Sequence, residues 1–323
     1  MRKVFSELSV YTPNYNHGVY IFDKIHQIIN QSVWPREYII VDDCSTDDSW
    51  DIIQSVCNDY TWIKCYRNDK NIGVINCMNK ALSLSTCSLF YGTASDDIID
   101  KDSFEIIQSF YNKHPNVGII FSSMYEMNKS EKIVKKHEPL GFSSSILINS
   151  ESFFSNYLSK QTARFSLGTA TYFNKDALLS IGGFQKDLNS LCDTAAINTI
   201  GLNHGCYYIK RPLTTWRKLE TGFSQTQNSD INSLISNVHN TAHFYKNNNS
   251  CRSLSDDYIN KWSKDVILDT FTEQILANRS NFTKSSNFIN EVYNACKKEP
   301  ASYYIDSNNL KRWKTKYEIL IKK

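Results

Sequence analysis

The sequence predicts an α/β protein, a mostly parallel Rossmann-like sheet followed by an all-helical C-terminal region. Three observations carry this expectation. Short apolar segments alternate with stretches of helical periodicity from Leu8 to Phe121, the pattern of a parallel sheet covered on both faces. Two of the apolar segments, Tyr38-Ile39-Ile40-Val41-Asp42-Asp43 and Leu89-Phe90-Tyr91-Gly92-Thr93-Ala94-Ser95-Asp96-Asp97, end in paired carboxylates. Open α/β sheets bind their ligands outside the carboxyl ends of the strands, so those pairs fall where a site is expected. Beyond about Phe223 strand signals thin out and amphipathic segments take over.

Leu8–Thr12 reads as the first strand, after which Val19, Phe22, Ile25, Ile28 and Ile29 recur at the spacing that lines one helical face. Tyr38–Val41 is the second strand, and Asp47 or Asp48 is placed to cap a helix carrying Ile52, Ile53 and Val56. Trp62–Tyr66 is strand-like, Val74–Leu84 helical, and Leu89–Thr93 extended again. A helix over Asp102–Tyr111 leads through His114-Pro115-Asn116 into a strand at Val117–Phe121. Gly141–Ser159 is irregular and Ser-rich, which predicts a loop-rich segment. Order returns at Leu167–Phe173, followed by a short helix from Lys175 and a turn at Gly182-Gly183-Phe184. Ile231, Leu234, Ile235 and Val238, and later Ile267, Leu268, Phe271 and Ile275, mark amphipathic helices. The domains are placed at 1–224 and 225–323.

A chain of 323 residues with 41% apolar content can bury a large core, and a formal charge of +3 with dispersed Lys and Arg argues against nucleic acid as a partner. Nine cysteines without a Cys-x-x-Cys pair predict neither structural zinc nor a disulfide framework. No signal-peptide core opens the sequence, and no apolar stretch approaches the roughly 18 residues of a membrane span. A cytoplasmic protein is expected. The basic stretch Leu310–Lys323 interleaves Lys and Arg with Trp313, Tyr317, Ile319 and Ile321. Such a segment suits peripheral contact with an anionic membrane at its inner face, with a solvated helix or an oligomer contact as open alternatives.

The first loop, Thr12-Pro13-Asn14-Tyr15-Asn16, sets a stiff proline beside an aromatic able to stack on a base, although an ordinary strand-to-helix turn reads the same way. Asp42 and Asp43 offer fixed acceptors, and a capping turn remains open there too. No Gly-x-Gly-x-x-Gly follows the first strand, which disfavours a nicotinamide dehydrogenase. No Walker loop is present either, so phosphates need another counter-charge, and a hard cation on Asp96 and Asp97 supplies one.

Together these residues resemble the inverting family 2 glycosyltransferases of the GT-A fold. The matches are Thr12-Pro13-Asn14-Tyr15-Asn16, Ile40-Val41-Asp42-Asp43-Cys44-Ser45-Thr46-Asp47, Ala94-Ser95-Asp96-Asp97, Gly182-Gly183-Phe184 with Leu191-Cys192-Asp193, and Pro212-Leu213-Thr214-Thr215-Trp216-Arg217-Lys218 with Ser224. They occur in the family's order over roughly Leu8 to Ser224. The resemblance implies a nucleotide-diphospho-sugar transferase fold in which Asp43 accepts from the base, most often uracil. Thr12, Pro13 and Tyr15 would line that pocket, Asp42 would support it, and Asn79 and Asp96 would lie by the diphosphate. Asp96 and Asp97 would hold Mn2+ or Mg2+, Asp193 would be the general base, and Arg217 and Trp216 would serve phosphate or acceptor. Three positions depart from the pattern: Ala94 and Cys192 stand where acids are usual, and Met78 where many relatives have arginine. The implied activity is transfer of a sugar, UDP-linked, to a glycan or lipid-linked acceptor of a surface polysaccharide. A non-catalytic nucleotide-sugar-binding partner subunit and a sugar nucleotidyltransferase are the competing readings; the second calls for a Gly-rich phosphate loop near the first strand.

Overall fold

The computed structural model describes residues 3–163, 165–278 and 280–321. Two compact units are present, the first made of 1–161, 167–186 and 196–219, the second of 162–166, 187–195 and 220–323.

In the first unit β1 (Val4–Asn14), β2 (Trp34–Asp42) and β3 (Ile63–Arg67) alternate with α1 (Gly18–Ile29) and α2 (Ser49–Cys57). They continue into α3 (Val74–Leu84), β4 (Leu89–Gly92), the short β5 (Ile98–Ile99) and α4 (Ser103–Tyr111). β1 pairs in parallel with β2 on one side and β4 on the other, and β2 with β3. Val10, Tyr38, Ile40, Leu89 and Tyr91 of these strands are buried with Ile21, Ile25 and Ile28 of α1 and Ile53 of α2. Of the helical face read from the sequence, Ile25, Ile28 and Ile29 meet the sheet, whereas Val19 and Phe22 are exposed and Ile21 and Lys24 complete the buried face instead.

The second half of the sheet is less regular. β6 (Ile119–Met127) and β7 (Ile133–His137) form a hairpin, and β8 (Ile146–Ile148) with α5 (Ser150–Asn156) gives order to part of the segment expected to be irregular. β9 (Thr171–Asn174) leads to α6 (Lys175–Ser180), and α7 (Cys192–His204) to β10 (Cys206–Arg217). The strand order is β3-β2-β1-β4-β9-β6-β10-β5, with β7 on β6 and β8 on β10. β6 and β10 run parallel, but β9 enters antiparallel to both β4 and β6. The mostly parallel expectation therefore holds for the main strands and is modified by β9 and the short strands at the rims. The register of β10 shifts on either side of Pro212, which lacks the N–H a regular ladder needs. That proline, behind Lys210 and Arg211, hides the longest strand of the sheet from a pattern reading.

Cys57, the last residue of α2, sits beside Cys65 of β3, with Cα atoms 6.5 Å apart.

The second unit carries α8 (Phe223–Ser229), α9 (Ile231–Asn247), α10 (Asp256–Ala277), α11 (Phe282–Cys296) and α12 (Ser307–Leu320). Four of these start at side-chain caps: Asp230 accepts from Ser233 N, Ser255 from Tyr258 N, Asn281 from Lys284 N, and Asp306 from Asn308 N and Asn309 N. Leu234, Val238, Ile267, Phe271, Ile275, Ile289 and Val292 are buried. So are Leu310, Trp313 and Tyr317 of α12, and Trp313 Nε1 donates to Thr272 Oγ1 at 3.1 Å. The aromatic side of the basic tail, which the sequence offered to a membrane, is thus packed inward; Lys322 and Lys323 lie outside the described residues. Among the described residues no helix is long and apolar enough to cross a membrane.

Candidate active site

Because β1, β2 and β4 are parallel neighbours, their carboxyl ends lie side by side and the loops that follow them meet. Asp43 N donates to Asn14 O at 2.8 Å and Thr93 N to Tyr11 O at 3.0 Å. Successive residues of a strand point to opposite faces, and the two aspartates at the end of β2 divide accordingly. Asp42 is buried: Oδ1 accepts from Asn14 Nδ2 at 2.9 Å and Ser45 Oγ at 2.5 Å, Oδ2 accepts from Ser45 N at 3.0 Å, and Arg67 Nε lies 3.5 Å away. Asp43 faces the loop between β3 and α3, where Oδ1 accepts from Asn68 Nδ2 and Ile72 N and Oδ2 from Gly73 N, each at 2.8 Å. A carboxylate has about four acceptor positions, so Oδ2 of Asp43 keeps room for one more donor.

The first loop is tied to the second. Asn16, at φ +52, accepts at Oδ1 from Thr46 N at 2.8 Å, while its own N donates to Ser45 Oγ at 3.0 Å. Asp47 Oδ2 accepts from Gly18 N at 2.9 Å and Oδ1 from Ser49 N at 3.1 Å, so one side chain serves the starts of both α1 and α2. Burial raises its pKa, but these bonds outweigh burial and leave the carboxyl below its ordinary value. A Cβ on Gly18 would lie 1.9 Å from Oδ1 of the exposed Asp48 side chain, which would have to swing aside to admit it. Pro13 is half-buried, and Tyr15 is 46% exposed with its ring open to a ligand.

The second aspartate pair also divides. Asp97 is 3% exposed, with Oδ1 accepting from Arg217 N at 3.0 Å and Oδ2 from Thr169 Oγ1 in a short hydrogen bond. Burial, then the neighbouring charge of Asp96, push its pKa up to about 7, with Lys24 and the two hydrogen bonds opposing. Asp96 is half-buried; Arg217 Nε donates to its backbone oxygen at 3.0 Å, and its carboxylate has no hydrogen bond or ion pair among the described residues. Lys24 of α1 is fully buried with Nζ donating to Thr93 Oγ1 at 2.9 Å. Burial brings its pKa down to about 8, although the charges of Asp97 and Asp96 support the ammonium. His17 Nδ1 meets Ser95 Oγ at 2.5 Å and joins the first loop to this one.

Among the described residues no group of three or more His, Cys, Asp or Glu side chains could hold a metal. Asp97, expected as the second ligand, is buried and accepts from Thr169 Oγ1 and Arg217 N, one bond at each oxygen, so it braces these two groups. Mg2+ and similar hard ions take one or two carboxylates and complete their shell with phosphate oxygens and water. The donor set therefore fits an ion held by Asp96 together with a diphosphate.

Two expected nucleotide contacts are spent elsewhere. Thr12 is buried and accepts at Oγ1 from Tyr38 OH at 2.8 Å. Asn79 donates from Nδ2 to Phe184 O at 2.8 Å and accepts at Oδ1 from Phe184 N at 2.9 Å, which clamps the Gly182-Gly183-Phe184 turn. Trp216 and Arg217, adjacent on β10, part company. Trp216 meets the ring of His137 edge-on at 6.3 Å, whereas Arg217 lies by Asp96 and pairs through Nη1 with Glu131 at 2.9 Å. Asp193 belongs to the second unit, where Thr194 N donates to its Oδ1 at 2.6 Å in the first turn of α7. Burial outweighs that bond and leaves its pKa above the ordinary value, although a helix start favours the ion. Lys24, His17, Asn68 and Thr169 are the residues that sequence reasoning missed. A lysine among Ile21, Ile25 and Ile28 on the apolar face of α1 was the one signal available.

The fold and the crossing of strand-end acids define a nucleotide-sugar transferase architecture of GT-A-like form. A family model described as glycosyl transferase family 2 matches residues 9–182. The chain belongs to that family. TuaG of Bacillus subtilis (strain 168), a glycosyltransferase assigned to teichuronic acid biosynthesis, is 39% identical over 98 residues, which cover 30% of this chain and 39% of that protein. Chondroitin synthase of Escherichia coli is 26% identical over 129 residues, 39% of this chain and 18% of the synthase. The matches thus span well under half the length of these relatives. Among solved structures, S. aureus TarS in complex with UDP-GlcNAc superposes with a TM-score of 0.66 at 15% identity, covering 98% of this chain and 89% of that one. A mannosyltransferase from Pyrobaculum calidifontis in complex with GDP-Man and Mn2+ gives 0.53 at 15%, covering 98% and 88%. At such identities the likeness is one of fold.

Proposed function

We propose that this chain transfers a sugar from a nucleotide donor, UDP-linked, to a glycan or lipid-linked acceptor in surface polysaccharide synthesis, with inversion at the transferred carbon. The observation that carries the reading is the open carboxylate of Asp96 at the same strand ends as Asp43, whose loop cradle retains an acceptor position. TarS binds UDP-GlcNAc and TuaG is assigned to teichuronic acid, which supports a UDP donor and a surface polymer.

In this reading Asp43 accepts from the base with Pro13 and Tyr15 against its faces, while Asp42 keeps Asn14 and Ser45 in place beneath. Mn2+ or Mg2+ on Asp96 would supply the positive charge that the departing diphosphate needs. Arg217 adds a guanidinium close to the same position, held by Asp96 O and Glu131. Asp193 removes the proton of the acceptor hydroxyl, a contribution of about 10²–10⁴ in rate for a well-placed base.

The test is a thermal shift with UDP at increasing Mn2+, in wild type and Asp96→Asn, followed by donor hydrolysis with UDP-, GDP- and dTDP-sugars. A Mn2+-dependent UDP shift that disappears in Asp96→Asn, with sugar released from a UDP donor, is expected. Equal shifts in both proteins would remove Asp96 from the site. UDP binding without release from any donor would favour a non-catalytic binding partner.

A further inference from the structure

One polar face of α1 is left over once the strand-end loops are accounted for. Tyr20, Asp23, Gln27 and Asn30 follow one another at steps of three and four along the helix, the spacing that stacks side chains along a single line. They line a cavity of about 410 Å³ whose other wall runs from Ser95 to Lys101. Four contacts fix how the two walls run. Arg217 lies over the Tyr20 ring at 5.4 Å and on Asp96 O, Gln27 Oε1 accepts from Ile99 N at 3.0 Å, and Ser32 N donates to Lys101 O at 2.9 Å. The cavity is therefore a groove that starts at Asp96 and follows the helix for about 15 Å, ten steps of 1.5 Å.

Its chemistry is specific. Among the described residues no hydrogen bond or ion pair engages the Tyr20 hydroxyl, the Asp23 carboxylate, the Asn30 amide or the Lys101 ammonium. The groove thus offers donors and acceptors in mixture. Asp23 and Asp96 balance Lys101 and Arg217, and Arg217 is already paired with Glu131, so no surplus positive charge invites a polyanion. His26, on the same wall, packs against Phe22 with centroids 4.3 Å apart, and Phe22 is 50% exposed. Hydroxyls that both donate and accept, on rings with an apolar face, match this combination of amides, acids and open aromatics.

We propose that the groove along α1 binds the neutral, polyhydroxyl chain of the acceptor glycan and leads it to Asp96. The proposal rests on the glycosyltransferase reading for the word acceptor, and on the groove alone for the class of ligand. The test uses fluorescein-labelled chitotetraose, cellotetraose and maltotetraose, with tetragalacturonate as the anionic counterpart, in anisotropy titrations. Proteins compared are wild type, Asn30→Trp, which fills the groove, and the exposed Asp23→Ala, with the UDP thermal shift read in parallel as a check on folding. At least one neutral tetrasaccharide should bind, with Kd raised tenfold or more in Asn30→Trp and severalfold in Asp23→Ala while the UDP shift is kept. The proposal is overturned if no neutral probe binds, if binding is the same in all three proteins, or if only tetragalacturonate binds. Glycan binding in a wild type that shows no UDP shift would instead sink the transferase reading and leave the groove as a carbohydrate site.

Discussion

Replacing Lys24 by methionine isolates the cost of holding an ammonium out of water beneath the strand-end aspartates. Lys24 is fully buried and donates to Thr93 Oγ1 at 2.9 Å, and burial, opposed by Asp97 and Asp96, takes its pKa from 10.5 to about 8. A fall of that size corresponds to about 3 kcal/mol at roughly 1.4 kcal/mol per unit. The unfolded chain keeps this proton up to pH 10.5, whereas the folded chain releases it near pH 8. Between the two the unfolded state binds more protons, so folding stability rises with pH; the penalty is full below pH 8 and gone above 10.5. Methionine does not titrate. Urea melts of both proteins at intervals from about pH 7.5 to 10.5 should show wild type gaining about 3 kcal/mol on Lys24→Met across that range. Loss of the ammonium also pushes the Asp97 carboxyl above its present value of about 7, and ionising it then destabilises the variant as pH rises, which adds with the same sign. A difference that stays flat, or shrinks, would mean that the Lys24 ammonium reaches solvent and that the buried arrangement at Thr93 is wrong.

Three further outcomes follow from the geometry. Asp43→Ala strips the acceptor from Asn68, Ile72 N and Gly73 N; it should cost on the order of 3 kcal/mol and abolish the UDP thermal shift, and an undiminished shift would release Asp43 from base recognition. Gly183→Ala places a Cβ 2.7 Å from Asn79 Oδ1 at φ +73, so a loss of about 2 kcal/mol is expected by chemical melts, with Asn79→Ala adding less than its own cost because the two share one clamp. Asp193→Asn should retain UDP binding and lose transfer by about 10²-fold or more. Since burial raises the Asp193 carboxyl and a base must be ionised, the acid limb of wild-type transfer should lie above the usual 3.8, and a limb at or below that value would argue for another base.

Strand-end chemistry was legible where local pattern and tertiary placement agree. The first three strands and the helices between them follow from apolar periodicity, and the α3 bounds predicted over Val74–Leu84 are those observed. β10 was hidden because Pro212 breaks its ladder, and β9 because direction within a sheet is set by which neighbours a strand finds. Side-chain roles were less legible than elements. Thr12 and Asn79 sit in the right motifs, yet Tyr38 and the Phe184 backbone, distant in sequence, take up their hydrogen bonds. Lys24 was visible as a polar intruder on an apolar helical face, but not as the neighbour of Asp97 and Thr93, since that requires α1 to be laid against β4.

The two aspartate pairs make the same point about mechanism. In each pair the sequence presents two equivalent carboxylates, and the fold makes one a brace and leaves the other with acceptor capacity. Asp42 is buried with bonds to Asn14 and Ser45 and lies by Arg67, while Asp43, also buried, faces the loop before α3; Asp97 is buried with bonds to Thr169 and Arg217 N, while the carboxylate of Asp96 has no hydrogen bond or ion pair among the described residues. The division matters because an exposed carboxylate on a loop would be held loosely, whereas one attached to a buried, hydrogen-bonded neighbour inherits that neighbour's position. Substituting the brace should therefore displace the open partner without touching ligand. Asp97→Asn should weaken Mn2+-dependent UDP binding although Asp96 remains, and it should do so less than Asp96→Asn; an Asp97→Asn protein that binds UDP and Mn2+ as wild type does would show that Asp96 is positioned by something other than its neighbour.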